Sequence, residues 1–226
     1  MLLAEELVLV AVDPGSGRHP LGTRDQINAC LAGLLVAELV LDGTVVPGPG
    51  KATVVAASSA ARPSSPVLAA AADVVAEKGP KVKAVFSHMS RGLDQRLGHG
   101  TWDALTASLV ESGVLAAGDG GLLTRHAVVD TAARDEIVGR LRTAAAGDDV
   151  LDARTALVLS MTGPAHLLEL VAPERAGRKH ARRRIDHALD SSQLQPIGEL
   201  VRKLLAEAAA AATAGALAAT AAAASS

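Results

Sequence analysis

Residues 22–46 read GTRDQINACLAGLLVAELVLDGTVV, one long helix that stops at a glycine and turns directly into a strand. Thr23 followed by Gln26 is a capping-box pattern and predicts the start. Ile27, Cys30, Leu31, Leu34, Leu35 and Leu39 recur at helical spacing, with Val36, Val40 and Leu41 filling the flanks. A helix apolar on most sides belongs in the middle of a domain, under other helices. Asp42-Gly43 ends it, because glycine accepts the left-handed cap without steric cost, and Thr44, Val45 and Val46 offer a short β-branched strand. Glu38 is the odd residue, since a carboxylate in such surroundings must find partners.

The rest of the composition agrees with a helical core. Apolar residues make up 49% of the 226, but much of that is alanine, and Phe86 and Trp102 are the only aromatics. Ala, Leu and Val suit close-packed helices better than a sandwich or barrel. The expected fold is therefore mainly α, a single helical domain around the central helix with short β-hairpins, over residues 1–207. Residues 208–226 form an Ala-rich low-complexity tail.

A formal charge of −2 argues against a globally basic nucleic-acid binder. Cys30 has no second cysteine to pair with and reads as a small core residue. The start MLLAEELVLVAVD carries Glu5 and Glu6 and no positive region, so it does not read as a secretory signal. No stretch is apolar enough for a bilayer span. The expected place is the cytoplasm, with any membrane contact peripheral, on the inner face of the plasma membrane.

Taken in order, residues 2–12 predict an acidic turn and then, from Leu7 to Val12, a strand or a short helix leading into one. Ala52–Ala57 can pair with Val45-Val46 as a hairpin. Ser65-Pro66 opens a helix that ends at Gly79, and a further helix runs through Val82, Val85, Phe86 and Met89. Thr101 caps TWDALTASLVESG, and Val114–Val129 carries a hairpin signal. Helices follow at 133–145, 152–162, 165–171 and 178–189, and from Pro196 onward, with Gly163-Pro164 as a break. LVAELVLDGTVV and TASLVESGVLAA repeat the same device of helix, glycine and strand.

Catalytic chemistry has no foothold here. There is no nucleophile elbow and no phosphate-binding glycine loop, and the seven histidines lack ligand spacing, so neither an enzyme, a metal nor a cofactor is expected. The densest charge feature is the basic patch Arg178, Lys179, Arg182, Arg183 and Arg184. Such stripes attract phosphates, or else form a solvated face paired with Glu174 and Asp186. The Trp102 helix with its hairpin is winged-helix-like, yet LTASLVESG contains no Arg or Lys for phosphate contacts.

In this order LLAEELVLVAVD, LAGLLVAELVLDGTVV, LTASLVESGVL, RTALVLSMTGPAHLLELV and RKHARRRIDHAL resemble the Golgi phosphoprotein 3 family, or GPP34 domain, in its bacterial branch. The resemblance implies a helical peripheral membrane adaptor that binds phosphatidylinositol 4-phosphate or other anionic phospholipid headgroups. The family's anion pocket uses a tryptophan at the start of the central helix, an arginine nine residues later, and two arginines three apart. Thr23, Ala32, His99 and Trp102 stand at those positions. Arg24, Arg91, Arg96, His99 and Trp102 are then the candidate anion-binding residues. The family's self-association hairpin corresponds to Val114–Val129, with Leu122, Leu123, Val128 and Val129 as its apolar residues. Anionic headgroups are the expected partners, with protein partners and a homo-oligomer left open. The alternative reading is a helical protein-interaction adaptor without lipid specificity.

Overall fold

The central helix forms where its periodicity places it. In the computed structural model α2 spans Arg24–Leu41, and every residue from Ile27 to Leu39 except Gly33 is a buried apolar or polar side chain, with Gly33 buried among them. The structure describes residues 1–15, 17, 24–48, 53–57, 61–91, 93, 100–118, 125–190 and 206, leaving aside the side chains of Arg24, Asp25 and Arg125. The Thr23 cap, the tail and the helix expected from Pro196 lie outside the described residues. Burial pushes the Cys30 thiol up to about 12, so it stays protonated and acts as a small apolar side chain.

α2 shares the centre with a second helix. Residues Leu3–Ala11 form α1, and all nine are buried, which decides for the helix over the strand between Leu7 and Val12 and takes the expected acidic turn into the same helix. A short apolar run does not separate strand from buried helix by pattern alone. What decides it is that Glu5 and Glu6 find partners inside. The Glu5 carboxylate accepts from the Leu2 amide (2.8 Å) and the Ser108 hydroxyl (2.7 Å). Glu6 accepts from Arg140 and lies 3.6 Å from Arg154.

The two central helices are also joined by charge. Glu38 of α2 accepts from the Leu3 amide of α1 and from Arg154, both at 2.6 Å. The carboxylate thus finds the partners that its surroundings demand, at 8% exposure.

The remaining elements wrap this pair. β1 (Val45–Pro47) follows α2 through Gly43, whose φ of 77° is the left-handed cap. It pairs antiparallel with β2 (Val54–Ala56) in the register Val46↔Val55. α3 (Pro66–Lys78) starts at Ser65, whose hydroxyl accepts from the Leu68 amide, and stops at Gly79 with φ 73°. α4 (Val82–Arg91) and α5 (Thr101–Glu111) follow. Gly100, not Thr101, is the α5 cap; Thr101 is fully buried and its hydroxyl donates to the Met89 carbonyl, tying α5 to α4. Gly113 repeats the left-handed exit of Gly43 into β3 (Leu115–Gly118), which pairs antiparallel with β4 (Arg125–Val128). α6 (Thr131–Ala146) and α7 (Ala153–Thr162) are capped by the carboxylates of Asp130 and Asp152. After the break at Gly163, the expected helix from Ala165 is shortened to α8 (Leu168–Val171), because His166 takes a left-handed φ of 58°. α9 is Arg175–Asp190.

The layers follow from these contacts. α4 packs on α2, α3 and α5, while α9 packs on α6 and α7. α1 touches α2, α5, α6 and α7 and so lies between the two sets. Among the described residues no helix is long and apolar enough to cross a membrane.

Candidate anion-binding surfaces

The first candidate place is the end of the bundle where α4 stops and α5 starts, both packed on α2. Arg91 is exposed there and curls back on its own helix: its Nε donates to the Ser87 carbonyl at 2.8 Å and its guanidinium to the Ser87 hydroxyl at 3.2 Å. Trp102 is turned inward, with 6% exposure, as part of the core. Arg96, His99 and the Arg24 side chain lie outside the described residues.

A helix N-terminus attracts anions through its free amides and positive dipole end. Here acceptors from the protein already take two of its amides. The Trp102 amide donates to Asn28 Oδ1 of α2 at 3.1 Å, and the Gly100 amide to the Asp103 carboxylate at 3.2 Å. Asp103 also adds negative charge at the spot an anion would take. His126 of β4 is buried close by. Burial pushes its pKa down, against the opposing pull of Asp103, so the ring is neutral near pH 7 and adds no cation. Asn28 escaped the sequence reading because its partner lies 74 positions along the chain. Asn28→Leu should strand the buried Trp102 amide and cost about 1–3 kcal/mol. Thermal melts of this variant and of Asn28→Asp, which keeps an acceptor, check this; equal loss in both would show that the acceptor does not matter.

The second place is α9, whose five patch residues divide by role. Arg184 donates to the carbonyls of Gly147 and, at 2.6 Å, Asp149, where a cation meets the negative end of α6. Arg178 donates to the Pro173 carbonyl and lies 3.7 Å from Glu169. These two hold loops in place, with partners other than the Glu174 and Asp186 side chains expected for a solvated face. Lys179, Arg182 and Arg183 are exposed, as is Arg175. A hollow of about 690 Å³ is lined by Arg175, Ala176, Arg178, Lys179 and Arg182, four cations with no carboxylate among the described lining residues. Toward the other flank of α9, a notch of about 380 Å³ mixes His180, Arg183 and His187 with Asp148 and Asp149. Its opposed charges suit an anion less well.

Leu122 and Leu123 lie outside the described residues; Val128 packs against the core and Val129 is 59% exposed. α5, the helix that would read DNA, buries Trp102, Leu105 and Leu109 and carries no Lys or Arg. Its surface therefore has no cation for a phosphate backbone. Among the described residues no group of three His, Cys, Asp or Glu is placed to hold a metal ion.

No curated protein matches the chain. A family model described as Golgi phosphoprotein 3 (GPP34) matches residues 3–208, from the first turn of α1 to beyond the end of α9. That match covers nearly the whole sequence, and it runs through the buried helix pair, both hairpins and the basic helix. The chain belongs to the Golgi phosphoprotein 3 (GPP34) family.

Proposed function

We infer that the protein is a non-enzymatic peripheral adaptor that meets anionic phospholipid headgroups through the exposed cations of α9. One observation carries this reading: the exposed Arg175, Lys179 and Arg182 line, together with the loop-holding Arg178, a single hollow with no carboxylate among its described lining residues. Family membership supports the adaptor class. The filled amide positions at the start of α5 favour attraction by surface charge over a pocket that selects one headgroup. Each basic residue close to an anionic bilayer contributes on the order of 1 kcal/mol, screened over roughly 8 Å at physiological salt.

Flotation with phosphatidylserine vesicles tests it. The triple variant Arg175→Gln, Lys179→Gln, Arg182→Gln should bind on the order of 100-fold more weakly at low salt. It leaves the loop-holding Arg178 and Arg184 in place, so the fold is spared. Raising salt several-fold should release the unaltered protein, and a phosphoinositide of equal total charge should change little. Binding that persists at high salt and follows one phosphoinositide would favour a headgroup pocket. Absence of binding at every salt concentration would favour a protein-interaction adaptor without lipid specificity.

A further inference from the structure

The notch of about 380 Å³ on the far flank of α9 brings three kinds of surface together. Arg183 and His187 stand one turn apart on α9, both exposed, and neither has an ion-pair or hydrogen-bond partner among the described residues. Asp148 and Asp149 come from the loop after α6. Asp148 already lies 3.6 Å from the His180 ring, whereas Asp149 is exposed and its carboxylate has no partner among the described residues. Val150, Leu151 and Ala188 add apolar surface. Val150 is 85% exposed, more than any other large hydrophobic among the described residues.

The loop that carries Val150 is tied to α9. Arg184 donates to the Gly147 carbonyl and, at 2.6 Å, to that of Asp149, and His180 Nε2 lies 3.2 Å from the Gly147 carbonyl oxygen. A loop already held in place has little freedom left to lose when a ligand rests on it. The volume falls at the lower end of the range of small-molecule sites.

We propose that this notch binds a free α-amino acid with an aliphatic side chain. Its carboxylate accepts from the Arg183 guanidinium and the His187 ring, and its ammonium donates to Asp149. Its hydrocarbon end covers Val150, Leu151 and Ala188. The class of ligand follows from the lining. Opposed charges weaken the hold on a lone anion or a lone cation and suit a molecule that carries both. The apolar surface favours a branched side chain over glycine, since each buried methylene tightens binding about fourfold. None of these residues is among the cations that line the hollow at the start of α9, so the two sites stand independently.

The test titrates the full chain with L-leucine and follows the amide resonances by NMR. Saturable shifts should appear around Asp148–Leu151 and Arg183–Ala188. Isocaproate, which lacks the ammonium, and isoamylamine, which lacks the carboxylate, should each bind at least about tenfold more weakly, and glycine should bind more weakly as well. Arg183→Gln and Asp149→Asn should each weaken leucine binding several-fold with melting curves unchanged. Both side chains are exposed, and the Asp149 carbonyl held by Arg184 remains in the variant. The triple Gln variant of Arg175, Lys179 and Arg182 should bind leucine as the unaltered chain does, which separates this site from the lipid reading. Absence of shifts up to the solubility of leucine would overturn the proposal. Isocaproate binding as tightly as leucine overturns it too, because the notch would then hold only an anion. Leucine affinity unchanged in both single variants overturns it by placing the binding elsewhere.

Discussion

Replacing Arg154 with alanine should lower the melting temperature by about 4–12 °C, a loss of about 2–3 kcal/mol in a chain of this size. Arg154 is the cation that Glu38 and Glu6 share, at 2.6 and 3.6 Å, and it also donates to the Met1 carbonyl at 3.1 Å. Removing it leaves Glu38 with the Leu3 amide and Glu6 with Arg140. Breaking a fully buried pair costs about 3–5 kcal/mol; the smaller figure applies because the Arg154 side chain is 41% exposed and water screens part of the loss. The double variant Arg154→Met, Glu38→Gln should recover much of the stability, since no uncompensated charge then remains on α2. Circular-dichroism melts of the single and double variants decide it. A double variant no more stable than the single one would mean that the arginine acts through packing, not charge.

The larger effect should come from the N-terminus. Deleting residues 1–11 should abolish cooperative unfolding, leaving a broad, low-enthalpy calorimetric trace. α1 supplies Leu3, Leu7, Val8 and Leu9, each fully buried, to a core formed with α2, α5, α6 and α7. Losing one such leucine to alanine costs about 2–5 kcal/mol, and several together exceed the 5–15 kcal/mol that holds a typical domain folded. The deletion also leaves Glu38 without its amide donor and Arg140 without Glu6. A truncated chain that still melts cooperatively within a few degrees of the intact one would disprove the central place assigned to α1.

What the sequence made legible depended on how local the deciding interactions are. α2 carries its own evidence, a helical apolar period ending in a glycine, and Gly43 and Gly113 take the left-handed turns that their surroundings demand. Both strand pairings were readable for the same reason. α1 was left between strand and short helix, because an apolar run preceded by two glutamates looks half exposed until Arg140, Arg154 and Ser108 arrive from 100 or more positions away. In the basic helix, the sequence shows five cations but not which of them are engaged. Arg178 and Arg184 bind backbone carbonyls, which leave no trace in residue identity. Asn28 is invisible for the same reason: its partner is an amide.

The burial of α1 has a consequence for how the chain is made. α1 is made before α2 to α9 and yet is one of the last to be completed as structure, because its far wall is α7 and Arg154 reaches Met1 across 153 positions. At about 5–20 residues per second, synthesis separates the two by roughly 8–30 s. For that interval the leucines and valines of α1 have only part of their final surroundings, and α2 is the neighbour that emerges first. Closing so long a loop is slow relative to local helix formation. The nascent protein is therefore most exposed to aggregation, and most in need of a chaperone, before residue 162 clears the exit tunnel.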